Sequence, residues 1–208
     1  MDAETHRSGE HRGARWRKRG LLVVAWLLLV SVGQSVMFWQ VERFAMKAYR
    51  IPSSNMEPTL HCPRPASGCE ADTADRILVS RLAPSWTPSR GDIVAFRAPE
   101  SARLKCGAGG TFVKRIIGLP GEQVSLRLRR GAAFVYIDGE QLDEPYIEND
   151  RRDIGPEETF RVPEGQYFVM GDNRSQSCDS RVFGTVPRGS LIGPVVAVHW
   201  PLDRMGLQ

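Results

Sequence analysis

The sequence predicts a mainly β protein: an antiparallel β-sheet domain preceded by one N-terminal transmembrane helix. Three observations predict it. An uncharged apolar run, "GLLVVAWLLLVSVGQSVMFWQV", fills residues 20–41. From residue 76 onward the chain breaks into short apolar or alternating runs separated by Gly, Pro and Asn, the mark of strands and turns. No segment after the apolar run sustains a long helical period.

As a helix, residues 20–41 would extend about 33 Å at ~1.5 Å per residue, enough for a bilayer core. Of Trp16, Trp26 and Trp39, the outer two suit the membrane interfaces. Arg7, Arg12, Arg15, Arg17, Lys18 and Arg19 precede the run more densely than Arg43, Lys47 and Arg50 follow it. Positive-inside bias therefore makes residues 1–19 a cytoplasmic tail and puts the rest outside. A cleaved signal peptide would have a shorter apolar region and a small-x-small site, which "VERFAMKAY" poorly supplies. Residues 42–48 read as a juxtamembrane segment and 49–208 as the exported domain.

The net charge of +4 lies mostly in the tail. The domain thus lacks the clustered positive charge that phosphate backbones require, and nucleic acid is not an expected partner. Cys62, Cys69, Cys106 and Cys178 make an even count, which outside the cytoplasm favours disulfides. Three pairings are open: Cys62–Cys69 would close a short loop, and Cys106–Cys178 would tie distant segments. A zinc site using His61 is the alternative, but no C-x-x-C spacing is present, and neither metal nor cofactor is expected.

In order, the strand candidates are "RILVSRL", "GDIVAF", "TFVKRIIG", "QVSLRLR", "FVYIDGEQL" with its Asp-Gly turn, "QYFVMGDN" and "LIGPVVAVHW". The polar stretch "LDEPYIENDRRDIGPEETF" reads as a surface excursion between strands.

Few residues offer chemistry. His6 and His11 lie in the tail, leaving His61 and His199, too little for a Ser-His-Asp triad. G-x-S-x-G, P-loop and dinucleotide motifs are absent. Taken alone, "GDNRSQSCDSR" is a turn network. Lysine is scarce in this arginine-rich chain: Lys18, Lys47, Lys105 and Lys114. In a strand Lys114 and Arg115 face opposite sides, so one can point to solvent while the other points into the domain. Burial lowers a lysine pKa, and a neutral amine can take a proton from a serine hydroxyl, which arginine cannot do.

Four blocks, "IPSSNMEPTL", "RGDIVAF", "FVKRIIGLPGE" and "GDNRSQSCDSRVFGTVPRGSLIG", resemble in order those of type I signal peptidases. These are membrane-anchored Ser/Lys endopeptidases that remove signal peptides from exported preproteins. The resemblance implies a β-sheet catalytic domain of signal-peptidase type, resting at the outer face of the lipid bilayer. It places Lys114 on the general base, Ser53 on an oxyanion-hole hydroxyl and Ser177 on the serine that orients the lysine. Asp179 and Arg181 fall on a bracing ion pair. Ile51, Pro52, Met56, Leu60 and Val113 fall on the shallow pockets that accept small side chains, as in Ala-x-Ala. The nucleophile position falls on Asn55, whose carboxamide has neither hydroxyl nor thiol. Ser53 would share a face with residue 55 only in an extended segment, and would then sit about 6–7 Å along it. The resemblance thus implies a signal peptidase I with catalysis in doubt. The alternatives are a pseudo-peptidase that binds export substrates or partners, and a conjugation-type maturation peptidase.

Overall fold

The computed structural model describes residues 26–35, 46–81 and 86–207. The chain divides into two units, Met1–Phe44 and Ala45–Gln208. In the first, residues 26–35 are helical, and Ser31 and Ser35 donate to backbone carbonyls one turn back (3.0 and 2.8 Å). The tail and the remainder of the predicted 20–41 span lie outside the described residues. Among the described residues no helix is long and apolar enough to cross a membrane.

The second unit is built on two antiparallel sheets. The larger runs in the order β1 (Met46–Arg50), β2 (Arg76–Ser80), β11 (Leu191–Trp200), β3 (Ile93–Arg97), β4 (Thr111–Gly118), β9 (Gln166–Met170) and β10 (Val186–Pro187), with β12 (Gly206–Leu207) also on β11. The smaller orders β7 (Glu140–Gln141), β6 (Ala132–Ile137), β5 (Gln123–Arg129) and β8 (Glu158–Arg161). All seven strand candidates contain strands. β1 corrects the predicted boundary at residue 48: Met46, Lys47 and Ala48 pair with Ser80, Val79 and Leu78 as part of the sheet. Its alternation was too short to separate from a linker.

Apolar strand faces make three core clusters. Ile51, Met56 and Leu60 pack with Ile77, Val79 and Ile93. Val94, Phe96, Ile116 and Val169 pack with Phe183 and Ala102. Val124, Leu126 and Val135 of the smaller sheet pack with Ile117, Phe168 and Met170. Two short helices complete the unit, Glu100–Cys106 and Ser180–Phe183. At seven and four residues they are too short to show a helical period.

One expectation needs correction. β4 lies between β3 and β9, with Val94 opposite Lys114 and Met170 opposite Arg115, so both of its edges are paired. Lys114 is 1% exposed, and Arg115 is not in solvent either. Arg115 pairs with Asp172 (2.6 and 2.9 Å) and lies over the Tyr146 ring. The polar stretch after β7 runs over the surface as expected, but it is tied down. Glu144 and Ile147 are buried, Glu144 pairs with Arg174 and Arg152, and Asp153 accepts from Arg181 at 2.5 Å. Its charges looked like solvent-seeking residues because their partners lie far along the chain.

Removing one member of a buried ion pair strands the other. Glu144→Ala, which leaves the buried Arg174 without its carboxylate, is expected to destabilise the chain by about 3 kcal/mol or more, read by denaturant unfolding.

Candidate active site

Residues 51–60 leave β1 and pack downward through Ile51, Met56 and Leu60, all buried. The middle of this loop is not extended but a 3-10 turn, Ser54–Met56, entered from an extended Ser53. Ser53 and Asn55 nevertheless meet, the Asn55 Nδ2 donating to Ser53 Oγ at 2.8 Å. Ser54 is buried and donates to Gln176 Oε1 at 3.1 Å.

The loop is fastened from the segment after β9. Asn173 donates its side-chain amide to the Ser54 carbonyl (3.0 Å) and its backbone N–H to the Asn55 carbonyl (3.1 Å). Asp172 accepts from Thr59 Oγ1 at 2.6 Å. Gly171 makes this approach possible, since a Cβ there would run into the Asn55 carbonyl and the Ser177 side chain. Asn173 and Gly171 were read from sequence only as turn residues. The signal was their place inside the "GDNRSQSCDSR" block, but the loop they hold lies more than a hundred residues earlier.

Lys114 reaches this segment from β4, donating to Ser177 Oγ at 2.9 Å. Burial strips water from its amine and lowers its pKa to about 8; Asp179 and Asp172 pull upward and Arg181 pushes downward, all more weakly. At pH 7 roughly a tenth of such an amine is neutral and able to accept a proton. Asp179 is also fully buried. Burial pushes its pKa up, but Arg181, Lys114 and the Gly171 N–H more than offset this and hold it below the usual carboxylate range. Arg181 binds Asp179 through Nε and Nη2 (2.8 and 2.7 Å) and also reaches Asp153 and the carbonyls of Arg174 and Ser177. Asp179 additionally caps the helix Ser180–Phe183 by accepting from the Arg181 N–H.

These groups open into a cleft of about 440 Å³. Ile51, Pro52, Ser53, Asn55 and Met56 line it together with Val113 and Lys114, and Cys106, Ala108, Gly109, Phe112 and Cys178 also line it. Leu60 corrects the expected pocket set: it is fully buried in the core beneath the loop and not at the cleft. Ser177, Asp179 and Arg181 stand behind Lys114 rather than in the lining.

Cys62 is bonded to Cys69 and Cys106 to Cys178. The first pair leaves no thiolate for zinc. Glu57, His61 and Glu70 bring donor atoms together. Glu57, however, already accepts the N–H groups of Cys62 and Glu70 and contacts His61, and Glu70 faces Arg151. These groups are engaged in holding the loop.

A family model described as signal peptidase, peptidase S26, matches residues 21–200. The chain belongs to the signal peptidase (S26) family. It is 38% identical over 169 residues to a probable signal peptidase I-2 of Synechocystis sp., covering 80% of this chain and 69% of that one. It is 36% identical to signal peptidase I of Leptolyngbya laminosa, with 85% and 80% covered. Signal peptidase I of Mycobacterium tuberculosis is 28% identical, with 99% and 81% covered. Among solved structures, a signal peptidase I from Enterococcus faecalis is 37% identical, covers 53% of this chain and 98% of its own, and superposes with a TM-score of 0.42.

In this S26 chain the lowered pKa of Lys114 carries a stability cost. Below about pH 8 the amine is charged both folded and unfolded, and the full cost of burying the charge applies; it fades as pH rises toward 10.5, where both states are neutral. Lys114→Met is therefore expected to raise stability at pH 7 by on the order of 3 kcal/mol. The gain should shrink between pH 8 and 10.5, as followed by denaturant unfolding across that range.

Proposed function

We propose that this is a signal peptidase I whose site is assembled for Ser/Lys chemistry but, as written, lacks the nucleophile. Lys114 is the general base, Ser177 orients it, and Ser53 with the residue 55 N–H forms the oxyanion hole. Asp179 and Arg181 brace the segment carrying Ser177. Ile51, Pro52, Met56 and Val113 accept the small side chains of an Ala-x-Ala signal, held at the outer face of the membrane by the 20–41 anchor. The observation that carries this reading is the buried Lys114 amine bonded to Ser177 in the cleft that Asn55 lines.

In the intact reaction the neutral amine would take the serine proton as the hydroxyl attacks the scissile carbonyl. It would then return that proton to the leaving amine. Asn55 carries neither a hydroxyl nor a thiol to give up such a proton and attack. Its carboxamide instead donates to Ser53 Oγ. The protein therefore binds signal peptides without forming an acyl-enzyme.

Full-length chain should bind a preprotein carrying an Ala-x-Ala signal but release almost no mature product. Asn55→Ser should cleave it, with a rate rising toward pH 8 as Lys114 loses its proton, and Asn55→Ser/Lys114→Ala should be inert. Cleavage by the Asn55 chain at a rate matching the Asn55→Ser variant would refute the nucleophile assignment. Binding without cleavage by Asn55→Ser would leave a binding protein in its place.

A further inference from the structure

We propose that the Cys106–Cys178 disulfide is a positioning element of this site: it pins the cleft wall beside Lys114 to the segment carrying Ser177, holding the Lys114–Ser177 contact closed and water away from the amine. The inference rests on Lys114 and Ser177 being the base and its orienting partner.

Cys178 lies between Ser177 and Asp179, the two residues that meet Lys114 by hydrogen bond and by charge. Cys106 ends the helix Glu100–Cys106, and the wall that follows is "GAGG" before β4 begins. Gly107 and Gly110 have positive φ (66° and 89°), and Ala108 is the one side chain among the four. Such a segment has little intrinsic order. It runs from the helix end at Cys106, which the disulfide ties to Cys178, to β4, which carries Lys114 three residues in; Ala98 donates its N–H to the Gly110 carbonyl at 2.9 Å. Both cysteines line the cleft with Ala108, Gly109 and Lys114. The helix itself has other ties: Ser101 Oγ donates to the Phe183 carbonyl (2.8 Å), Lys105 Nζ donates to that of Val182 (2.9 Å), and Ala102 is buried beside Phe183. Opening the bridge therefore removes the direct tie between the wall and the Ser177 segment, while the helix stays docked and Arg181 still holds the Ser177 carbonyl.

The charged groups facing Lys114 are Asp179 and Arg181 from the segment after Cys178 and Asp172 from the segment after β9. None is removed when the bridge opens. What changes is water access, the largest influence on the amine, so its pKa moves up from about 8 toward 10.5.

The test uses the full-length Asn55 chain in detergent. Lys114 is titrated by competitive acetylation with acetic anhydride from pH 6 to 11, read by mass spectrometry. The oxidised protein is compared with Cys106→Ser/Cys178→Ser and with protein reduced by dithiothreitol, alkylated and freed of reagent. Reduction of each bridge yields two protein thiols and one cyclic disulfide of the reagent; the double variant separates this bridge from Cys62–Cys69. The expected result is an upward shift of the Lys114 midpoint by about one unit in both opened forms, and in an Asn55→Ser background a matching shift of the acid limb of kcat/KM, about tenfold at pH 7. An unmoved midpoint overturns the proposal, even if activity falls, because that would be a merely structural loss. If Asn55→Ser is inert, the proposed function fails, while the labelling still decides the role of the bridge.

Discussion

Burying the amine of Lys114 is the constraint around which the site is organised. A lysine placed at 1% exposure in an interior strand loses its hydration, and nothing nearby restores it in full. The Ser177 hydroxyl takes one of its hydrogen bonds, and Asp179 and Asp172 supply negative charge at a distance. That balance leaves a pKa near 8, low enough for a proton acceptor and high enough that the group folds inside. Arginine at the same position would keep its proton.

Holding Ser177 and Asp179 where they affect the amine requires further buried charge. Arg181 spans Asp179, Asp153 and two carbonyls, while Arg174 pairs with Glu144 and Arg115 with Asp172. Each pair is weak evidence of stability, because desolvation offsets much of the attraction. Their geometric effect is firmer. They fasten the polar stretch after β7, the segment after β9 and strand β4 to one another, and Asn173 then ties the residue 55 loop to the same frame. The loop that presents residue 55 and the strand that presents Lys114 thus share one support.

Asn55 occupies this frame without disturbing it. Its carbonyl is held by Asn173, its neighbours Ser54 and Met56 are buried, and its side chain finds a partner in Ser53. Loop geometry depends on backbone bonds and flanking packing, whereas covalent catalysis depends on one side-chain atom.

Much of this was legible in the sequence. Strand runs with Gly and Pro punctuation marked the sheets, because a two-residue period and turn chemistry are local properties. The lone Lys in "TFVKRIIG" and the dense "GDNRSQSCDSR" block marked the site, and their order matched one family. Other features depended on distant parts of the chain. The engagement of Arg115, the packing of the polar stretch by Glu144 and Asp153, the 3-10 turn at Ser54–Met56 and the retreat of Leu60 into the core could not be read locally. A charged or apolar residue looks the same in sequence whether its partner is water or a side chain a hundred positions away. The sequence by itself determined seven of the strand runs, the family and the carboxamide at residue 55. Only the tertiary structure decided which charges are buried together and what holds Lys114 against Ser177, because burial and pairing are set by residues that meet only when the chain folds.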